Sequence, residues 1–489
     1  MKNRLNSKKL VAILLAVLIV IAAVVLIVVT TNNSSDTKPT VTPTIAPTAV
    51  PTDAPTKAPE PTATPTVAPT ATPTVTPTPE PTATPTPMPP ADTWVSTWST
   101  SEEKCNLSGP TDSAMPKLAL EGTTVRQIIR ATTYGEQIRL RLSNQYGESD
   151  VEIVSLHIAK QSKDAFSDGT GRASVDLSTI DATTDTVVTV NGQESFVIPA
   201  GESIVTDAIA FPVNALDNLA ISAYFGKTPT INITGHRGAR ATTYQAEGNL
   251  VSEQVLTGYQ TTTSWFFLAD VSLYTVPGSR AVVCFGDSIT DGYGTDASYL
   301  GKRPDSYTRW GDYFAKRLQE NEATQNVSVL NEGIGSNSIL GSWPTDSGRD
   351  RFARDLLEHD GVAYCIILFG VNDLDKLQDT SKYNLLIPEY KKMIDLCHAN
   401  GIKVYGAPIL PFGANGYYSP ASEEVRTMIN DWMRSEESGL DGIIDFESAL
   451  VDPLDPTRLQ KRYSPSDGLH PYEGYDVMAE AIDLEMFTE

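Results

Sequence analysis

Five short apolar runs, at 281–285, 327–330, 363–369, 403–407 and 442–446, lack polar alternation, and helical stretches at 307–320, 349–359, 390–399 and 422–434 fall between them. Strands that are apolar at every position must be covered on both faces, and strands alternating with helices pair in parallel through crossovers. The pattern predicts an α/β fold with an open, doubly wound parallel sheet over 278–489. Ligands of such a sheet bind beyond the carboxyl ends of its strands.

Upstream the pattern changes. Residues 93–277 show short alternating runs such as "TTVRQIIRAT", "EQIRLRLSN" and "NLAISAYF", broken by Gly, Asn and Asp. Period-two alternation with β-branched residues predicts an all-β sandwich of jelly-roll type with one face of each strand buried. Residues 10–29 are a continuous apolar run of twenty, and at about 1.5 Å per residue such a run spans a hydrocarbon core of about 30 Å. Lys2, Arg4, Lys8 and Lys9 precede it, which keeps that end inside the cell. The expectation is a cytoplasmic basic segment at 1–9 and a transmembrane signal anchor at 10–30; the alternative is secretion after signal cleavage. Residues 31–92 hold 17 of the chain's 33 prolines. Proline removes backbone donors and favours an extended helix, so this tract is expected to be an extracellular stalk.

The net charge of −23 argues against nucleic acid, because like charges repel at long range. Membrane contact is expected through the N-terminal helix only. Four cysteines without a C-x-x-C pair argue against a zinc site, and Cys284 and Cys365, inside apolar runs, are expected to be buried apolar residues. No metal, cofactor or obligate protein partner is expected.

Unusual residues collect where the parallel strands should end. These are Gly286-Asp287-Ser288, "NEGIGSNSIL" at 331–340, "FGVND" at 369–373 and "SDGLHPYEGY" at 466–475. Acyl transfer needs a serine whose proton an imidazole accepts, a carboxylate to orient that imidazole, and N–H donors for the oxyanion. Ser288, His470 and Asp467 suit the first three roles, and Asn372 with nearby backbone amides suits the last. Each motif alone is more often a turn; their order and complementarity make the case.

Residues 280–489 resemble the SGNH, or GDSL-type, hydrolases. Ser288 in "GDSIT" matches the nucleophile block, Asn372 in "GVND" the asparagine block, and Asp467 with His470 in "DGLHP" the last block. "TWVSTW", "TVRQIIRAT" and "LRLSNQYG" resemble the leading half of a two-domain bacterial subgroup with an N-terminal β-sandwich. The resemblance implies an oxyanion hole made by Ser288, Asn372 and a glycine that falls here on Ser336, beside Gly335. The segment after His470 is one residue shorter than usual.

Gly335, Trp343 and His236, the last in "TGHRGAR" with Arg237 and Arg240, are candidate substrate contacts. His359 and His398 are expected near helix ends, as favourable charges on the dipole. These readings together predict a surface-anchored serine esterase that removes acyl groups, chiefly acetyl, from carbohydrate. The alternatives are a lipid or lysophospholipid esterase and a non-catalytic carbohydrate-binding surface protein.

Overall fold

A computed structural model describes residues 91–105, 119–165 and 175–488. The basic segment at 1–9, the anchor at 10–30 and the stalk up to residue 90 lie outside them. Among the described residues no helix is long and apolar enough to cross a membrane.

The first half is built from two large antiparallel sheets and a small one of Trp265–Phe266, Ile233–His236 and Glu103–Cys105. One large sheet runs in the order Gln260–Thr262, Thr243–Glu247, Thr123–Arg130, Asn218–Phe225, Val151–Lys160, Thr186–Val187; the other in the order Thr93–Ser99, Leu268–Thr275, Gly135–Ser143, Ser203–Val205. Val125, Ile129, Leu219 and Ile221 from one face Ile138, Leu140, Val271 and Leu273 from the other in a single apolar core.

One-face burial fails in three central strands, Thr123–Arg130, Asn218–Phe225 and Leu268–Thr275, which are buried almost throughout. The outer face of the first two carries a second small core of Ile128, Ala220, Tyr244 and Leu256. There Arg126 is buried, donating to Ser222 Oγ and to the carbonyls of Ser178, Val251 and Glu253. Leu268–Thr275 turns its other face to the second half of the chain: Ser272 Oγ donates to Asp360 (2.7 Å), and Asp270 pairs with His359 (2.8 Å). His359 therefore balances buried carboxylates, Asp270 on one side and Glu332 Oε1 at 3.1 Å on the other.

Residues 276–279 lead into five parallel strands ordered Val327–Gly333, Arg280–Gly286, Val362–Leu368, Lys403–Gly406, Gly442–Ile443. In chain order this is 2-1-3-4-5, and the direction reverses between the first and third strands, where such sheets place their ligands. The edge strand Val327–Gly333 is covered by the sandwich: Thr100 bridges Asn331, and Ser328 Oγ donates to Ser96 O at 2.6 Å. The longer helices are Trp310–Gln319, Gly348–Leu357, Ser381–Ala399 and Pro420–Met433.

Two of the elements that differ from their expected bounds have a clear physical reason. The third of these helices starts at Ser381, not 390, and passes through Pro388. Proline forfeits one backbone bond, but Leu386, Tyr390, Met393, Ile394 and Cys397 bury a continuous face that carries the helix across it. The fifth strand ends at Ile443 because Asp445 accepts from Ser448 N and caps the short helix Phe446–Leu450.

Candidate active site

The first strand stops at Gly286 for a steric reason. A Cβ there would overlap Thr290 Oγ1 and the Leu368 carbonyl oxygen, so only glycine lets the chain turn so close to the neighbouring strand. Asp287 then caps the four-residue helix Ser288–Asp291, accepting from Ile289 N at 3.0 Å. Burial pushes the Asp287 carboxyl up to about 7. Ser288 is the first residue of this helix, so its N–H has no intrahelical acceptor.

Ser288 Oγ lies 2.8 Å from His470 Nε2, and His470 Nδ1 lies 2.6 Å from Asp467 Oδ2. Asp467 is held by further donors: Tyr472 OH at 2.5 Å on Oδ2, and the N–H groups of Leu469 and His470, each at 3.0 Å, on Oδ1. Partial burial opposes its charge, but the hydrogen bonds from His470 and Tyr472 outweigh it and hold the carboxyl well below the usual carboxylate range. The Tyr293 ring packs 4.5 Å from the imidazole.

The turns after the first three strands lie side by side, since Gly286 is in register with both Gly333 and Leu368. Asn372 sits in the short turn Val371–Leu374, and its Nδ2 donates to Asn337 O at 2.8 Å, which joins it to the turn holding Gly335 and Ser336. Ser336 has φ of +65° and is exposed. A left-handed backbone is natural for glycine, and here the serine adopts it. Gly335 lies against Asp291, whose Oδ2 is 3.6 Å from where its Cβ would stand.

Two proposed substrate contacts part company with this cluster. His236 is only 2% exposed; its Nε2 faces Asp291 Oδ1 at 3.2 Å and its Nδ1 the Ser101 carbonyl at 2.9 Å. It therefore pairs with a buried carboxylate and is not open to substrate, because apposition of the two domains closes the loop over it. Trp343 is 66% exposed in the loop beyond Ser336 and has no hydrogen bond or ring contact with Ser288, His470 or Asp467.

Two further buried residues organise the site. Arg351 is fully buried and donates to Gly286 O (2.8 Å), Glu332 O (3.0 Å) and Asn337 Oδ1 (2.9 Å), tying the nucleophile strand to the neighbouring turn. Asp373 accepts from Ile339 N (2.7 Å) and Leu340 N (3.1 Å), and burial pushes its carboxyl up to about 6. Asp373 stands in "GVND" beside Asn372 and is visible there; Arg351 in "GRDRFARDLL" reads as any surface arginine.

Residues 284–476 match the family model described as GDSL-like Lipase/Acylhydrolase family. Comparison with curated proteins gives no match. Among solved structures the chain is similar to a GDSL-like lipase from Bacteroides thetaiotaomicron, at 19% identity over 44% of this chain and 89% of that one, with a TM-score of 0.31. It is also similar to a carbohydrate acetylesterase from Sinorhizobium meliloti, at 19% identity over 41% and 95% of the two chains, with a TM-score of 0.30. A family two carbohydrate esterase from Clostridium thermocellum, solved in complex with cellohexaose, matches at 14% identity over 79% and 98% of the two chains, with a TM-score of 0.32. With the motif order and the family match on one segment, residues 284–476 form a GDSL-like lipase/acylhydrolase domain.

Proposed function

We propose that the protein is a cell-surface serine esterase that removes acetyl groups from carbohydrate. The observation that carries this reading is the line from Ser288 Oγ through His470 to Asp467, with contacts of 2.8 and 2.6 Å. His470 Nε2 takes the Ser288 proton as Oγ attacks the ester carbonyl. Asp467 accepts the Nδ1 proton, which fixes the tautomer and stabilises the imidazolium. The Ser288 and Ser336 N–H groups and the Asn372 amide stabilise the oxyanion; Asn372 has one hydrogen on Asn337 O and a second left for that role. His470 then protonates the departing alcohol, and water attacks the acyl-enzyme by the same route in reverse.

Carbohydrate is favoured by exposed aromatic faces beside His470 and its neighbour Tyr472: Tyr293 (40%) and Tyr299 (65%). Such rings offer an apolar face with a wet rim, which suits a sugar ring. The basic start, apolar run and proline-rich tract support surface anchoring; release of the catalytic domain from intact cells by protease tests it.

The chemistry is tested with p-nitrophenyl acetate and octanoate, using the wild-type chain and Ser288→Ala. Loss of the serine should reduce turnover about 10⁶-fold, as removal of a triad serine does elsewhere. Acetate preference, followed by acetate release from acetylated polysaccharide, supports the reading. Octanoate preference replaces it with a lipid esterase, and equal, background rates for a folded wild type and variant replace it with a binding protein.

A further inference from the structure

The helix that presents Ser288 has four residues, Ser288–Asp291. One turn of helix has no stability of its own, since nucleation fixes several dihedrals for one hydrogen bond. Its orientation must be imposed from outside: Asn331 Nδ2 on the neighbouring strand donates to Thr290 O at 2.8 Å, and the Asp291 side chain is held from the sandwich.

Asp291 closes the helix, with its N–H bonded to Asp287 O at 2.9 Å. The buried Asp291 carboxylate receives His236 Nε2 at 3.2 Å and the Arg240 guanidinium at 2.6 Å. His236 ends the sandwich strand Ile233–His236 and Arg240 lies in the loop that follows, and Gly238 between them leaves room for that carboxylate, which a Cβ would overlap. Arg309 links the two partners, donating to Asp291 O at 2.9 Å and to Ala239 O at 2.5 Å. Burial opposes the charge on Asp291, but Arg240 and His236 outweigh it and hold the carboxyl at about 2.

The same loop reaches the base. The Arg240 guanidinium stands 5.6 Å from the centre of the Tyr293 ring, and that ring packs 4.5 Å from the His470 imidazole. Tyr293 N also donates to Ser288 O at 2.8 Å. One arginine from the sandwich thus touches the end of the nucleophile helix and the residue that flanks the base.

We propose that the loop from His236 to Arg240 makes the β-sandwich part of the catalytic apparatus, with His236 and Arg240 as positioning residues that keep Ser288 in register with His470. The inference rests on the reading of Ser288 as the nucleophile. Removing Arg240 leaves the buried Asp291 carboxylate with His236 alone at 3.2 Å, so its charge is less compensated and the helix relaxes to rehydrate it. A displacement of about 1 Å costs on the order of 100-fold in rate.

The test compares the full chain with Arg240→Met, Arg240→Lys and Tyr293→Leu. The readouts are kcat and KM on p-nitrophenyl acetate, the rate of Ser288 labelling by a fluorophosphonate, and the melting temperature. Arg240→Met should lower kcat and the labelling rate together by about 10- to 100-fold, with KM within about twofold, and Arg240→Lys should recover part of the loss. Folded Arg240→Met with wild-type kcat and labelling overturns the proposal while leaving the esterase reading intact. If Arg240→Met does not fold, Tyr293→Leu, at a partly exposed position, decides: a fall in kcat without a change in melting temperature supports the proposal, and an unchanged kcat overturns it. A folded wild type that neither hydrolyses the ester nor takes the label overturns the nucleophile reading itself and the positioning role with it.

Discussion

Asp467→Asn removes a charge without removing bulk, and the geometry dictates which hydrogen bonds survive. Asp467 meets five donors with two oxygens: Oδ1 accepts from Leu469 N and His470 N, both at 3.0 Å, and at longer range from Ser464 Oγ at 3.5 Å, and Oδ2 accepts from His470 Nδ1 at 2.6 Å and Tyr472 OH at 2.5 Å. Asparagine has one acceptor oxygen and one NH₂. If the NH₂ faced the two backbone N–H groups, which cannot turn away, each would lose its acceptor at about 1–3 kcal/mol. The amide oxygen therefore takes the backbone side, and the NH₂ faces His470 Nδ1. That nitrogen must then accept, which moves the imidazole proton to Nε2, the atom facing Ser288 Oγ. A protonated Nε2 cannot act as base, and the imidazolium formed in the transition state has also lost its counter-ion. The expected loss in kcat is about 10³- to 10⁴-fold, in line with the same change in a well-studied serine protease. The folding free energy should fall by no more than about 3 kcal/mol, the worth of one hydrogen bond to a charged group. Hydrolysis of p-nitrophenyl acetate beside a thermal melt reads both quantities. A folded Asp467→Asn enzyme within tenfold of wild type would refute the assignment of the base and its tautomer.

Ser336→Gly should raise the melting temperature and preserve kcat, because the φ of +65° costs a serine about 1–2 kcal/mol more than glycine; a lower melting temperature would show that the turn is not strained. Gly286→Ala should prevent correct folding or abolish activity, since its Cβ overlaps Thr290 and the Leu368 carbonyl; an active, equally stable variant would refute the close approach. His359 lies between Asp270 and Glu332, and despite opposing burial the charge of Glu332 and the hydrogen bond to Asp270 push its imidazole up to about 10. Raised above an unfolded value near 6.5, it stabilises the folded chain fully below about pH 6.5 and loses that contribution as pH rises through about 10. On the order of several kcal/mol is at stake, at about 1.4 kcal/mol per unit. Melting temperatures between pH 6 and 10 should fall more steeply for wild type than for His359→Gln, and parallel slopes would remove His359 as the cause.

Much of the second half is legible in the order of its residues. Apolar runs without alternation mark the parallel strands because burial on both faces leaves no place for polar side chains. Ser288, Asp467 and His470 stand out because their motifs interrupt those runs at strand ends, where backbone turns and chemistry coincide. The helix over Ser381–Ala399 is harder to read, since local propensity weighs the hydrogen bond lost at Pro388 and cannot weigh the buried face that outlasts it. His236 stands out for its neighbours, but its partner Asp291 is 55 residues away in the chain.

The sequence by itself determined the fold class, the order of the strands along the chain and which residues are the candidates for nucleophile, base and carboxylate, because each is written in local spacing and residue chemistry. Tertiary structure alone decided what holds those groups in place. Arg351 gathers Gly286, Glu332 and Asn337, His359 joins Asp270 to Glu332, and Arg240 reaches from the sandwich to Asp291 and Tyr293. Buried charges must find opposite partners wherever the chain brings them, and no periodicity along a sequence records which distant carboxylate a buried arginine will meet.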